Sequence, residues 1–179
     1  MPRFVYISKT DEENSDYNAT FEALRERFGK KIAPVVVPIW DENKRVTGII
    51  DVLNKRAFEM QDLKRVEIEV PEDKEAVITE FNAALKESVA ETSEAFMDKF
   101  FSGEDFTYAE MIQGLRQGVR ELSLFPVLCG SAVTCMGSLM LMDNIVDLLP
   151  NPMEGNYHKA TRADGETEEF VVSPGGVPT

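Results

Sequence analysis

Lys9 and Asp11 stand two residues apart in "FVYISKTDEEN" (residues 4–14), where an apolar run gives way abruptly to a turn and then to acids. A carboxylate at such a point can accept both N–H groups on the Watson–Crick edge of guanine, while the aliphatic stem of the lysine covers one face of the purine. Adenine presents the wrong edge. A second turn, Gly130-Ser131-Ala132, follows the apolar run "FPVLC" (125–129). Backbone N–H groups of Ser131 and Ala132 there can donate to guanine O6, an acceptor that adenine lacks. Each motif is common alone. Their pairing is informative, because each follows a buried strand and precedes a helix, and ligands of open α/β sheets sit beyond the carboxyl ends of the strands.

The elements that must hold these turns are legible as patterns. Residues 3–7 read as a short buried strand, and Tyr17, Phe21, Leu24 and Phe28 give the next segment a helical period closed by Gly29. "APVVVPI" (33–39), "VTGIIDVL" (46–53) and "RVEIEV" (65–70) are strand-like and predict a small antiparallel sheet. Pro71 followed by Glu72, Asp73 and Glu75 marks a helix start, and the spacing predicts one long helix to about Phe101. Thr107 and Glu110 form a capping box ahead of a second helix with an apolar face through Met111, Ile112, Leu115 and Val119. An apolar helix from about Met136 to Leu149 follows the second turn, and "PNP" stops it. The remainder is rich in Gly, Pro and charge, reads as a linker into another domain, and carries one candidate strand at 169–173.

The 179 residues are 43% hydrophobic with a formal net charge of -13 and a pI near 4.5. That balance excludes general attraction to phosphate backbones or anionic lipid, so neither free nucleic acid nor membrane is an expected partner. Two cysteines, no run of 18 apolar residues and no signal-peptide pattern fit a reduced, cytoplasmic chain. His158 is the lone histidine, and Cys129 and Cys135 lack zinc-like spacing, so no metal site is expected.

Residues 59–110 hold 15 acids against 5 bases. On one continuous helix Glu80, Glu87, Glu91, Glu94 and Asp98 would fall within roughly 60° of one another. Like charges at i,i+4 are mildly unfavourable in isolation, and a basic partner relieves them. A solvated face that merely keeps the chain in solution is the plainer alternative.

Over about residues 2–152 the sequence resembles bacterial translation elongation factor G, a ribosome-dependent translocation GTPase. The resemblance is carried in order by "PRFVYISKTDEENSDYNATFEALRERFGKKIAPVVVPI", "GIIDVLNKRAFEM", "ESVAETSEAFMDKFFSGEDFTYAEMIQGLRQG" and "FPVLCGSAVTCMGSLMLMDNIVDLLPNP". In that family the first turn reads N-K-x-D and contacts the guanine base, and the second begins S-A; Lys9, Asp11, Ser131 and Ala132 match. Ser8 replaces the family's Asn, and Thr134, Cys135 and Ser138 depart from its K-N-x-G-V continuation, which implies a divergent paralogue.

The resemblance implies an α/β fold. Residues 1–29 and 123–149 would form the second half of a GTP-binding domain, a remnant of a P-loop-GTPase parallel sheet. Residues 30–122 would be an inserted α+β subdomain, and 150–179 a linker and the start of a β-barrel domain. It implies guanine recognition by Ser8, Lys9, Asp11, Ser131 and Ala132. It also implies docking of the C-terminal domain of the ribosomal stalk protein on Glu87, Glu91, Glu94 and Asp98. GTP or GDP and Mg²⁺ would be held in the intact factor with the help of a P-loop. G-x-x-x-x-G-K-[ST] and D-x-x-G do not occur in this sequence, so the chain is expected to be a fragment that carries no catalytic residue, holds no nucleotide and does not hydrolyse GTP by itself. A ribosomal protection paralogue of the same family, or a stand-alone acidic interaction module, are the alternatives.

Overall fold

The computed structural model describes residues 1–41, 45–154 and 158–170. Its order is β1 (Val5–Ile7), α1 (Tyr17–Phe28), β2 (Ile32–Pro34), β3 (Val36–Trp40), β4 (Val46–Asp51), β5 (Arg56–Gln61), β6 (Lys64–Ile68), α2 (Glu72–Ala90), α3 (Glu94–Phe101), α4 (Tyr108–Glu121), β7 (Phe125–Cys129), α5 (Ser138–Leu148), β8 (His158–Thr161) and β9 (Thr167–Phe170). The fold is mixed α/β: a three-stranded parallel sheet ordered β1-β7-β2, a separate four-stranded antiparallel sheet ordered β3-β4-β5-β6, and five helices. The strand expected at 169–173 coincides over residues 169 and 170 with β9, which pairs with β8 as a hairpin; residues 171–173 lie outside the described residues.

Helix α1 ties the two sheets into one core. Asp16 caps it by accepting the Ala19 N–H at 2.9 Å, and Gly29 closes it. Its inward residues Tyr17 and Phe21 stack with centroids 5.7 Å apart and meet Trp40 of β3 and Phe81 of α2. The buried cluster runs on through Val36, Ile49, Ile50, Leu85, Leu115, Val127 and Leu148 without a break between the sheets.

The apolar run at 33–39 is not one strand. It divides at Val35, whose N–H donates to Val127 O at 2.9 Å and whose carbonyl accepts from Val52 N at 3.0 Å. One residue thus joins both sheets, and the parallel sheet claims β2 on the far side of the expected boundary at residue 30. Pro34 and Pro38 sit on the edge strands β2 and β3, where a missing N–H costs no ladder bond.

Two further elements differ from expectation. Strand β5 has no counterpart among the expected elements; it pairs with β4 and with β6 through the tight turn Asp62-Leu63, both residues at positive φ (48° and 61°). The long helix expected to reach Phe101 is broken. Thr92 Oγ1 donates to Val89 O at 2.7 Å, and Ser93 Oγ accepts the Phe96 N–H at 3.2 Å, ending α2 and capping α3 in consecutive residues.

The capping box forms as expected. Thr107 Oγ1 accepts the Glu110 N–H at 3.3 Å, Glu110 Oε2 accepts the Thr107 N–H at 2.7 Å, and Lys99 donates to both Glu110 oxygens at 2.7 and 2.9 Å, clasping α3 to α4. The lysine contact first, then the two Thr107 hydrogen bonds, hold the Glu110 carboxyl down to about 2. A depressed carboxylate contributes stability that is present above its unfolded pKa and is lost as pH falls through the folded one, so this clasp opens only as pH drops toward about 2. Thr107→Ala is expected to cost about 1 kcal/mol. Urea unfolding reads this as a lower midpoint at unchanged slope; an unmoved midpoint would contradict the cap.

Candidate functional site

Parallel pairing brings the two turns together. Val5, Tyr6 and Ile7 of β1 lie opposite Val127, Leu128 and Cys129 of β7, so both strands end at the same level. The chains stay joined past that end: Gly130 N donates to Ile7 O at 3.1 Å and Thr10 N to Gly130 O at 3.4 Å. Lys9 takes a left-handed φ of 61°, which turns the chain out of β1, and Glu12 N returns to Lys9 O at 3.1 Å.

Asp11 is exposed and its carboxylate has no partner among the described residues, so both oxygens remain able to accept. Lys9 is exposed and lies 4.0 Å from Glu12, an ion pair that water screens heavily. Ser8 is exposed, with no side-chain hydrogen bond among the described residues. Thr10, between them, points inward at 3% exposure, and its hydroxyl finds no partner there.

The second turn corrects one expectation. The Ser131 N–H is not open to a ligand, because it donates to Met136 O at 2.9 Å and closes the loop on itself. Ser131, only 1% exposed, instead organises the turn: its hydroxyl oxygen accepts the Val133 and Thr134 N–H groups at 3.1 and 3.2 Å. The Ala132 N–H is uncommitted among the described residues. Of the two expected amide donors, one is available.

Other residues shape this end of the sheet. A Cβ on Gly130 would collide with the Met136 carbonyl and the Tyr6 hydroxyl, and one on Gly137, at φ 77°, with the Cys129 carbonyl. Glycine is required at both by close approach of backbone. The Cys129 thiol is fully buried, which pushes its pKa up and keeps it inert. Burial likewise raises the Tyr17 hydroxyl.

The break in the long helix divides the acidic stripe. Glu87 and Glu91 stand at the end of α2, Glu94 and Asp98 on α3, so the four acids are not one helical row. All four are exposed, and none is ion-paired among the described residues. Glu87 and Glu91 line a groove of about 140 Å³ together with Ala33, Pro34, Leu85 and the cations Arg25 and Lys30.

A separate cleft of about 310 Å³ lies between the antiparallel sheet, the start of α4, and α5. Arg65 bridges it to Asp143 at 2.8 Å, and Arg56, bound to Glu67, joins Arg65 over the Phe58 ring. Burial first, then Asp147, Asp51 and Asp143, raise the Tyr108 hydroxyl at its rim. Among the described residues no group of three or more His, Cys, Asp or Glu could hold a metal ion, and no helix is long and apolar enough to cross a membrane.

No family model matches the chain. Among solved structures, the chain is similar to the crystal structure of ttk003000868 from Thermus thermophilus, with a TM-score of 0.79 and 30% sequence identity. The likeness covers 86% of this chain and 23% of that one, so this chain spans less than a quarter of that protein's length.

Proposed function

We propose that the chain is part of an elongation-factor-G-like translation GTPase that works in the cytoplasm and promotes ribosomal translocation. It would contribute the base-reading end of the GTP-binding domain and a docking surface for the ribosomal stalk. The observation that carries this reading is the side-by-side exit of the K-x-D and G-S-A turns from adjacent parallel strands, with the Asp11 carboxylate and Ala132 N–H both unspent. A carboxylate acceptor and an amide donor on one sheet end match guanine and mismatch adenine. Lys9 would cover the base, Ser131 would hold the turn, and Ser8 would lie beside them.

GTP or GDP would be bound by the intact protein, with phosphates and Mg²⁺ held outside this chain, whose sequence has no P-loop string. By itself this chain is expected neither to retain nucleotide nor to hydrolyse GTP. Isothermal titration of the full-length gene product should give GDP binding tighter than ADP binding by about a hundredfold or more. Equal affinities would leave the acidic-module reading in its place.

For the stalk, exposed acids with no ion pair among the described residues, beside a groove lined in part by apolar residues, suit a basic partner surface. Glu87→Lys with Glu91→Lys should weaken binding of the isolated stalk C-terminal domain by about tenfold. Unchanged affinity would discard that assignment.

A further inference from the structure

Glu94, Asp98 and Phe101 stand at i, i+4 and i+7 on α3 and so share one face of that helix. The opposite side is spent on the core: Phe96 meets Phe106 edge-on with centroids 5.7 Å apart, and Lys99 clasps Glu110. Phe101 is 78% exposed, the most exposed aromatic ring among the described residues, and Phe100, itself 37% exposed, meets it edge-on at 6.0 Å. The helix end that carries this ring is fixed. Gly103 at φ 76° lets the Gly103 and Glu104 N–H groups turn back onto the Phe100 and Lys99 carbonyls at 3.1 and 3.2 Å, and Ser102 Oγ donates to Lys99 O at 2.8 Å. With Ser93 capping its first turn, α3 is tied at both ends.

We propose that Phe101 is the apolar anchor of the acidic docking surface: the partner receives its ring in an apolar pocket rimmed by basic side chains, which meet Glu94 and Asp98. This inference rests on the stalk-docking reading above and adds to it a contact that carries no charge. Charge complementarity selects the occupant. The chain has a net charge of -13, and neither Glu94 nor Asp98 is ion-paired among the described residues, so a second copy of this chain would set acid against acid, whereas a basic domain neutralises both. Exposed acids alone give a contact that salt screens away. A covered aromatic ring with charges at its rim gives one that persists, since such rings carry much of the binding energy of protein interfaces. The fixed helix end lowers the ordering cost when the partner covers the ring.

Phe101→Ala removes the ring and no charge, at a position too exposed to support the core, so the urea midpoint of the variant should match that of the wild type. Isothermal titration of the full-length gene product with the isolated stalk C-terminal domain should show Phe101→Ala binding about tenfold more weakly. That factor should hold between about 0.1 M and about 0.3 M salt, because an apolar contact is not screened. Phe101→Leu should keep most of the affinity. Glu94→Gln with Asp98→Asn should weaken binding at the lower salt and lose that effect as salt rises. Equal affinity of wild type and Phe101→Ala overturns the anchor, and so does a loss that fades with salt as the double variant's does. Absence of binding by the wild type removes the docking surface and the anchor together. Failure of the anchor alone is distinct, because Glu87→Lys with Glu91→Lys then weakens binding while Phe101→Ala does not.

Discussion

Asp11→Ala in the full-length gene product is expected to weaken GDP binding by about a hundredfold or more. On the proposed reading the carboxylate accepts two N–H groups from one base edge. Hydrogen bonds to a charged group are worth about 1.5–3 kcal/mol each, so losing the pair costs about 3 kcal/mol at the least. Every 1.4 kcal/mol is about tenfold in affinity. The free state favours a large effect, because Asp11 is exposed and has no partner among the described residues to be disrupted by its removal. Inosine diphosphate supplies the control: it lacks the exocyclic amino group and should bind the wild type about tenfold more weakly than GDP, whereas the Asp11→Ala protein should bind both alike. A variant that still separates the two by calorimetry would show that the amino group is read elsewhere.

The second large effect is on stability. Leu115 of α4 is 0% exposed and packed in the core that both sheets share. Leu115→Ala is expected to destabilise the chain by about 3 kcal/mol, the lost transfer energy plus the cavity left behind. Val146, on the outer face of α5 at 75% exposure, gives the contrast: Val146→Ala should stay within about 0.5 kcal/mol. Urea unfolding measures both. A small loss at Leu115 would mean that the core can collapse around the vacancy, which its full burial in the shared core does not favour.

What the sequence made visible was local. The capping box, the helix from Tyr17 closed by Gly29 and the strand-then-turn pattern at 125–132 each place their signals within a few residues, so they could be read without tertiary contacts. The hidden features depend on partners distant in sequence or on unusual backbone. Ser93 caps α3 without an acid or amide at Phe96, so the apolar period runs on undisturbed through the break. The β5–β6 turn uses Asp62-Leu63 at positive φ, a geometry normally advertised by glycine or asparagine. Val35 divides a uniformly apolar run only because its N–H bonds Val127 in one sheet while its carbonyl accepts from Val52 in the other.

The candidate site shows the same division. Residue types at Lys9, Asp11 and Ala132 point to base recognition, and the parallel register of β1 and β7 sets their turns side by side. Which amides stay free was not legible, because the Ser131 N–H is taken by a carbonyl five residues onward in an irregular loop.

The most direct test of the shared base site is a crystal structure of the full-length gene product with GDP. The guanine ring should lie between the two turns, its N1 and N2 within hydrogen-bond distance of Asp11, its O6 facing the Ala132 N–H, and the Lys9 stem across one face. A base lodged elsewhere, or one contacting the turns through neither Asp11 nor Ala132, would contradict it.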